Sequence, residues 1–439
     1  MKKGYYANKE YKLLHQILCV TSVDFQRRTI YGFVELHILP LVTLLSRIRI
    51  NCKQCRIYRV CVKGQGLSSW LEAAFLTAEG GNTICQDPRK RNLDYFRQNL
   101  QNNVFQCDTE NNGGEITVRL PSETMPLVKE KKMLRLSIEF CLDKPSSIIH
   151  FVVPNGEGSA VERASHMYSY RWGNSSRLWF PCIDSYSELC TWKVEVTCDV
   201  GMVAVCPGEL TEKIYTQDEK RVTHHFTLST PTSASNIGIA VGPFEVFPDP
   251  ELADVTYFVL PGLGSLVKNT TSFISDAFEF FEDSLNTQYP YATYKLVFVD
   301  EAYETSQAFA TMGIVNTTLL HPPTVIDQTF VTRRVLTECL AEQFFGMFVS
   351  IQSWADVWLV HGISIYLASL YIRKAFGNNE YRHWLLTELE KLCKYEINGP
   401  GGFSDLFFGK SFFSLKMYVL TCLPTGCLVN GVDKSDETF

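Results

Sequence analysis

Apolar and polar residues alternate in short runs through the first 250 positions of the chain. Examples are Gly32-Phe33-Val34-Glu35-Leu36-His37-Ile38-Leu39, Ile57-Tyr58-Arg59-Val60-Cys61-Val62 and Leu134-Arg135-Leu136-Ser137-Ile138-Glu139-Phe140. A period of two sends successive side chains to opposite faces of a strand, so each run predicts a half-buried β-strand. Further strands are expected at 192–196, 202–205 and 237–241, separated by the Gly, Pro, Asn and Asp that favour turns. Two layers of antiparallel sheet, as a sandwich or saddle, would bury such a pattern. After Phe247-Pro248-Asp249-Pro250 the period lengthens, and from Leu266 apolar residues recur at helical spacing through Phe273, Ala277, Phe280, Phe281 and Leu285. A strand at 294–299 and helical patterns near 331–349, 358–376 and 380–396 complete a second, mixed region.

The chain therefore reads as multidomain, β followed by α+β. It divides into a flexible N-terminus over 1–10, a β domain over 11–250, a mainly helical domain over 251–398 and a divergent tail over 399–439. The tail opens with Gly399-Pro400-Gly401-Gly402 and carries Phe407, Phe408, Phe412 and Phe413 without a clean period. Lys410, Lys416 and Pro424 interrupt it, so a membrane-spanning helix is not expected there. The N-terminal apolar run is broken by His15 and Gln16 and is too brief for a signal peptide, which points to an intracellular chain. The sequon-like triplets at Asn174, Asn269 and Asn316 are then chance.

Composition alters this picture little. At 46% apolar and 20% charged, the 439 residues describe a globular protein with room for two or three cores. Charge is uneven: residues 1–150 carry 22 Lys and Arg against 14 Asp and Glu, and the remainder 19 against 33. A basic first third can attract acidic partners or nucleic acid, and Arg47, Arg49, Lys53, Arg56, Arg59 and Lys63 lie close in sequence. Without aromatic interleaving or a groove-reading motif they support salt-sensitive phosphate contacts at most, and a solvated sheet face is the simpler reading. The fifteen cysteines show no disulfide framework and read as reduced and mostly buried; Cys52-x-x-Cys55 lacks the second pair a zinc ribbon needs.

Candidate chemistry is concentrated in two segments. Residues 335–346 read Val-Leu-Thr-Glu-Cys-Leu-Ala-Glu-Gln-Phe-Phe-Gly, and 358–366 read Trp-Leu-Val-His-Gly-Ile-Ser-Ile-Tyr. Glu338 and Glu342, four apart, share one helical face, and His361 follows nineteen residues later on the next helix. In an HExxH zinc peptidase, histidines at that i, i+4 spacing hold the metal, the intervening glutamate is general base, and a later residue is the third ligand.

The two segments resemble the gluzincin aminopeptidases of the aminopeptidase N family, whose HELAHQWFG and WLNEGFASY fall in register on 338–346 and 358–366. Gln343, Phe345, Gly346, Trp358, Leu359, Gly362 and Tyr366 agree. The resemblance implies a saddle-like β domain followed by a thermolysin-like, mainly helical domain. It also places the zinc ligands on Glu338, Glu342 and His361 and the general base on Cys339. The amine-binding motif GAMEN falls on Ala310-Thr311-Met312-Gly313-Ile314, so the glutamate that grips a peptide's amino terminus is Gly313 and Met312 alone is kept. Two carboxylates and an imidazole could still contact a divalent ion, which leaves a zinc aminopeptidase with a remodelled site as the alternative reading. Cys339 is a poor substitute for a glutamate base, since a buried thiol is usually inert.

One branch of that family accounts for these losses. Residues 51–60, Phe151-Val152-Val153-Pro154, the run from Arg177 to Trp192, Tyr289-Pro290-Tyr291 and Phe376 to Trp384 resemble the aminopeptidase-like, TATA-binding-protein-associated branch found in transcription factor TFIID. The resemblance covers about 11–398. It implies a nuclear, non-catalytic scaffold without cofactor or bound metal. Such a scaffold packs with other TFIID subunits, supports RNA polymerase II preinitiation complex assembly and helps the complex engage core-promoter DNA. The run at 177–192 is expected to form a buried, aromatic and cysteine-rich strand pair. That branch continues into a further helical region, so this chain is expected to be truncated, with apolar surface left exposed on its second domain.

Overall fold

The computed structural model of the chain describes residues 9–77 and 114–398, apart from Trp172 and Asn174. The expected tail over 399–439 and the first eight residues of the expected flexible N-terminus lie outside the described residues. Two compact units are formed. One draws on Met1–Thr271 and Pro290–Val325, the other on Ser272–Tyr289 and Ile326–Phe439.

The first unit is built on an eight-stranded sheet whose centre is Tyr11–Asp24, flanked by Thr29–Pro40 and Cys190–Asp199. The alternation read from the sequence is visible in Leu134–Asp143, where Leu134, Leu136, Ile138 and Phe140 face the core and the intervening residues face outward. The neighbours run antiparallel with one exception: Tyr11–Asp24 and Cys190–Asp199 are parallel, with His15 opposite Thr191 and Val20 opposite Val196. Strands distant in sequence meet here, which alternation cannot disclose. A three-stranded sheet (Arg47–Ile50, Ile116–Arg119, Phe75–Thr77) and a short helix α1 (Met125–Lys129) complete this layer.

A four-stranded sheet (Val203–Val205, Ala240–Gly242, His166–Ser169, Ile149–Val152) packs with a five-stranded mixed sheet (Glu245–Pro248, Val255–Val259, Tyr294–Val299, Met312–Asn316, Ser306–Phe309). Tyr168, Val205, Ala240, Phe244, Val297, Phe309 and Met312 form one buried cluster between them. Tyr294–Val299 is buried at every position and pairs in parallel on both sides; its apolar run, expected of a central parallel strand, is broken only by buried Lys295, whose ammonium donates to the Cys206 carbonyl at 2.7 Å. Helix α2 (Gly264–Thr271) belongs to the same unit.

The second unit is helical: α3 (Ile274–Leu285), α4 (Ile326–Phe344) and α5 (Val357–Asn398), the last broken at Gly377 with φ 87° and ψ 177°. Ile365 and Trp384 lie nineteen residues apart, about 28 Å along a straight helix. They nevertheless share one buried cluster with Tyr381 and Leu385, so the chain reverses at Gly377. The two patterns read at 358–376 and 380–396 are thus the two arms of α5.

The run from Arg177 to Trp192 departs from the strand pair expected of it. It passes from a single helical turn at Ser176–Leu178 through irregular chain, and the strand begins at Cys190. Buried charge holds it in that form. Arg177 donates from Nε to Asp184 Oδ2 and from Nη1 to Glu115 Oε1, each at 2.9 Å. Asn51 donates to Glu115 at 3.1 Å and accepts from the Asp184 backbone N–H at 3.1 Å. Trp179, Phe180 and Trp192 pack edge to face beside this cluster, and Trp192 donates its indole N–H to the Thr232 carbonyl at 3.0 Å. All eleven described cysteines are free, and nine of them are buried, as their distribution in the sequence suggested.

Candidate functional site

Helix α4 carries Glu338, Cys339 and Glu342, and the first arm of α5 carries His361. The two helices are fixed by residues that the family motifs retain or surround. Gly346, at φ 131°, takes the chain out of α4, while the backbone N–H groups of Met347, Phe348 and Val349 close back onto the carbonyls of Glu342, Gln343 and Phe344 at 3.0–3.1 Å. That conformation favours glycine, which gives Gly346 a backbone reason. Ser364 on α5 donates to the Phe345 carbonyl at 2.7 Å and so ties the start of α5 to the end of α4.

Glu342 and His361 meet directly, with His361 Nδ1 3.0 Å from Glu342 Oε1. Both are partly exposed, at 19% and 37% of their side-chain surface. Burial pushes the Glu338 carboxyl up to about 7; Arg334 and His361 oppose that shift, while Glu342 and Glu388 add to it. Glu388 is buried and comes from the second arm of α5. Cys339 is buried at 2% exposure on the adjoining face of α4.

These residues do not fit a zinc ion. A carboxyl that is protonated for much of the time near neutrality is a weak anionic ligand. His361 has Glu342 as its partner, and among the described residues no three His, Cys, Asp or Glu side chains are arranged to hold a metal.

The stretch aligned with GAMEN lies in the first unit. Met312 is fully buried in the cluster between the two smaller sheets, and Gly313 sits in mid-strand opposite Leu296 on one side and Ala308 on the other. Thr311, at φ 61°, accepts a hydrogen bond from the Gly208 backbone N–H at 2.8 Å. The methionine is thus a core side chain, and the position of the substrate-gripping glutamate offers no side chain at all.

Arg334 and Glu388, which no motif singles out, also act on Glu338. Trp384 and Glu388 share a buried helical face at i, i+4, a signal present in the sequence; their return toward α4 depends on the reversal at Gly377, which no periodicity reveals. Sequon residue Asn269 donates to the distant His321 carbonyl at 3.1 Å, and Asn316 accepts from the Thr318 backbone N–H at 2.9 Å.

Comparison with known proteins gives this geometry its lineage. The Peptidase family M1 domain matches residues 270–398, which contain α3, α4 and α5. A solved structure of yeast LTA4 hydrolase in complex with bestatin has the same fold, with a TM-score of 0.70 over 94% of this chain and 59% of that one at 17% identity. Transcription initiation factor TFIID subunit 2 of Gallus gallus is 47% identical over 408 residues, 93% of this chain and 34% of its own length. Its counterpart in Danio rerio is 48% identical over 400 residues, 91% and 33%.

The chain belongs to the TFIID subunit 2 family.

That family is a degenerate member of the M1 peptidase lineage that keeps its fold. The chain spans about a third of the length of the TFIID subunit 2 relatives it matches.

Proposed function

We propose that the chain is a non-catalytic, nuclear subunit of TFIID that serves as a scaffold in RNA polymerase II preinitiation complex assembly and in engagement of core-promoter DNA. The observation that carries this reading is the combination of 47% identity to TFIID subunit 2 with replacement of all four zinc-site and base positions, at Glu338, Cys339, Glu342 and His361. Glu338, Glu342, His361, Cys339 and Gly313 are then remnants of a cleft, and their surviving roles are internal contacts. Scaffold function resides on outer surfaces, in contacts with other TFIID subunits.

Two measurements test this. Tagged chain expressed in nuclei is expected to recover TFIID subunits in a pull-down read by mass spectrometry; recovery of none of them would overturn the subunit reading. Purified chain is expected to contain no stoichiometric zinc and to leave aminoacyl-arylamides uncleaved. Zinc-dependent cleavage lost in Glu342→Ala would instead establish the remodelled aminopeptidase.

A further inference from the structure

The three-stranded sheet presents two unlike faces. Ile48, Ile50, Ile116 and Val118 are buried on one, which fixes the orientation of the strands. The alternate positions face solvent, and there Arg47 stands directly opposite Arg119, with Arg49 two residues along on the same face. Directly opposed residues of an antiparallel pair have Cα atoms about 5 Å apart, and like charges so placed repel. None of the three arginines has a salt bridge among the described residues. The sheet thus holds three planar, multiply donating cations in a fixed array that an anionic partner would relieve.

Exposed leucines accompany this array. Leu76, 43% exposed, occupies the row of Arg49 and Thr117 on the same sheet, and Leu44, 83% exposed, lies in the turn leading into Arg47–Ile50. Exposed apolar side chains beside cations offer nothing to a bare phosphate backbone, but they can be covered by a peptide that carries apolar residues among its carboxylates. We propose that this face is a docking surface for an acidic peptide segment of a partner protein. Its carboxylates pair with Arg47, Arg49 and Arg119, and its apolar side chains cover Leu44 and Leu76. Arg119, distant in sequence from the basic cluster at 47–63, joins the array through strand pairing alone.

The test uses the full chain and three fluorescent probes: a short peptide alternating glutamate and leucine, a polyglutamate peptide of equal length, and a DNA duplex. The glutamate–leucine peptide is expected to bind most tightly and to weaken as salt rises. Its affinity should fall about tenfold, ~1.4 kcal/mol, in Arg47→Gln/Arg49→Gln/Arg119→Gln. A fall of about threefold is expected in Leu44→Ser/Leu76→Ser, from lost apolar burial. All five substitutions are at exposed positions, and thermal melts confirm that the variants fold; the salt titration of the unaltered chain is independent of them. Absence of peptide binding, or binding indifferent to salt and to the arginine substitutions, overturns the proposal. Duplex binding that exceeds peptide binding and is lost with the arginines but not the leucines overturns it in favour of a nucleic-acid face.

Discussion

Arg177 shows how a single side chain can set a loop. Its guanidinium lies in the interior between two carboxylates, and burial pushes the Asp184 carboxyl up while Arg177 acts to hold it down. Removal of the cation would strand both acids. Arg177→Met is expected to cost about 3–5 kcal/mol, measured as a fall in the urea midpoint, with partial recovery when Glu115→Gln and Asp184→Asn are added. Glu338 predicts the opposite sign. Its folded carboxyl lies near 7 against an ordinary 4.5, so the folded state holds the proton more tightly and stability declines as pH rises from about 4.5 to about 7. Glu338→Gln removes that decline. Between pH 5 and pH 8 the variant should gain about 1–3 kcal/mol on the unaltered chain in urea titrations, a value reduced for partial solvent access. A zinc ligand replaced in the same way would damage its site; here the substitution stabilises.

At the scale of elements, α5 depends on one backbone position. Gly377 combines φ 87° with ψ 177°, a region open to glycine and hardly to any residue with a Cβ, although nothing lies within 4 Å of where that Cβ would stand. Gly377→Ala is therefore expected to lose about 1–3 kcal/mol through strain alone, read by thermal melt, with loss of hydrogen-exchange protection around Trp384. Helix existence at 331–349 and 358–376 was legible from the 3.6-residue pattern, although α4 begins earlier, at Ile326, and ends at Phe344. The strand expected at 237–241 is reduced to Ala240–Gly242, because the chain first makes a helical turn at Ala234–Asn236. Asn236 there bonds Thr232, and Ser233 bonds Ser235, so local side-chain contacts displace the ladder.

For the molecule as a whole, metal binding can be read from folding stability. A protein that binds a metal in its folded state gains RT ln(1 + [L]/Kd), about 2.7 kcal/mol at a hundredfold excess over Kd. Zinc added to the purified chain is expected to leave its thermal midpoint unchanged, and chelator likewise. An upward shift that vanished in His361→Ala would reveal a metal site.

The sequence alone determined the strand and helix periods, the shared face of Glu338 and Glu342, the burial of most described cysteines, and the lineage. Each of these depends on residue type at fixed spacing, which the chain carries locally. Tertiary structure decided the parallel pairing of Tyr11–Asp24 with Cys190–Asp199, the fold-back that brings Glu388 toward Glu338, and the meeting of Glu115 with Arg177. It also placed Arg119 opposite Arg47. These contacts join residues tens to hundreds of positions apart, and they are set by how sheets and helices bury their apolar faces together, a property no local pattern contains.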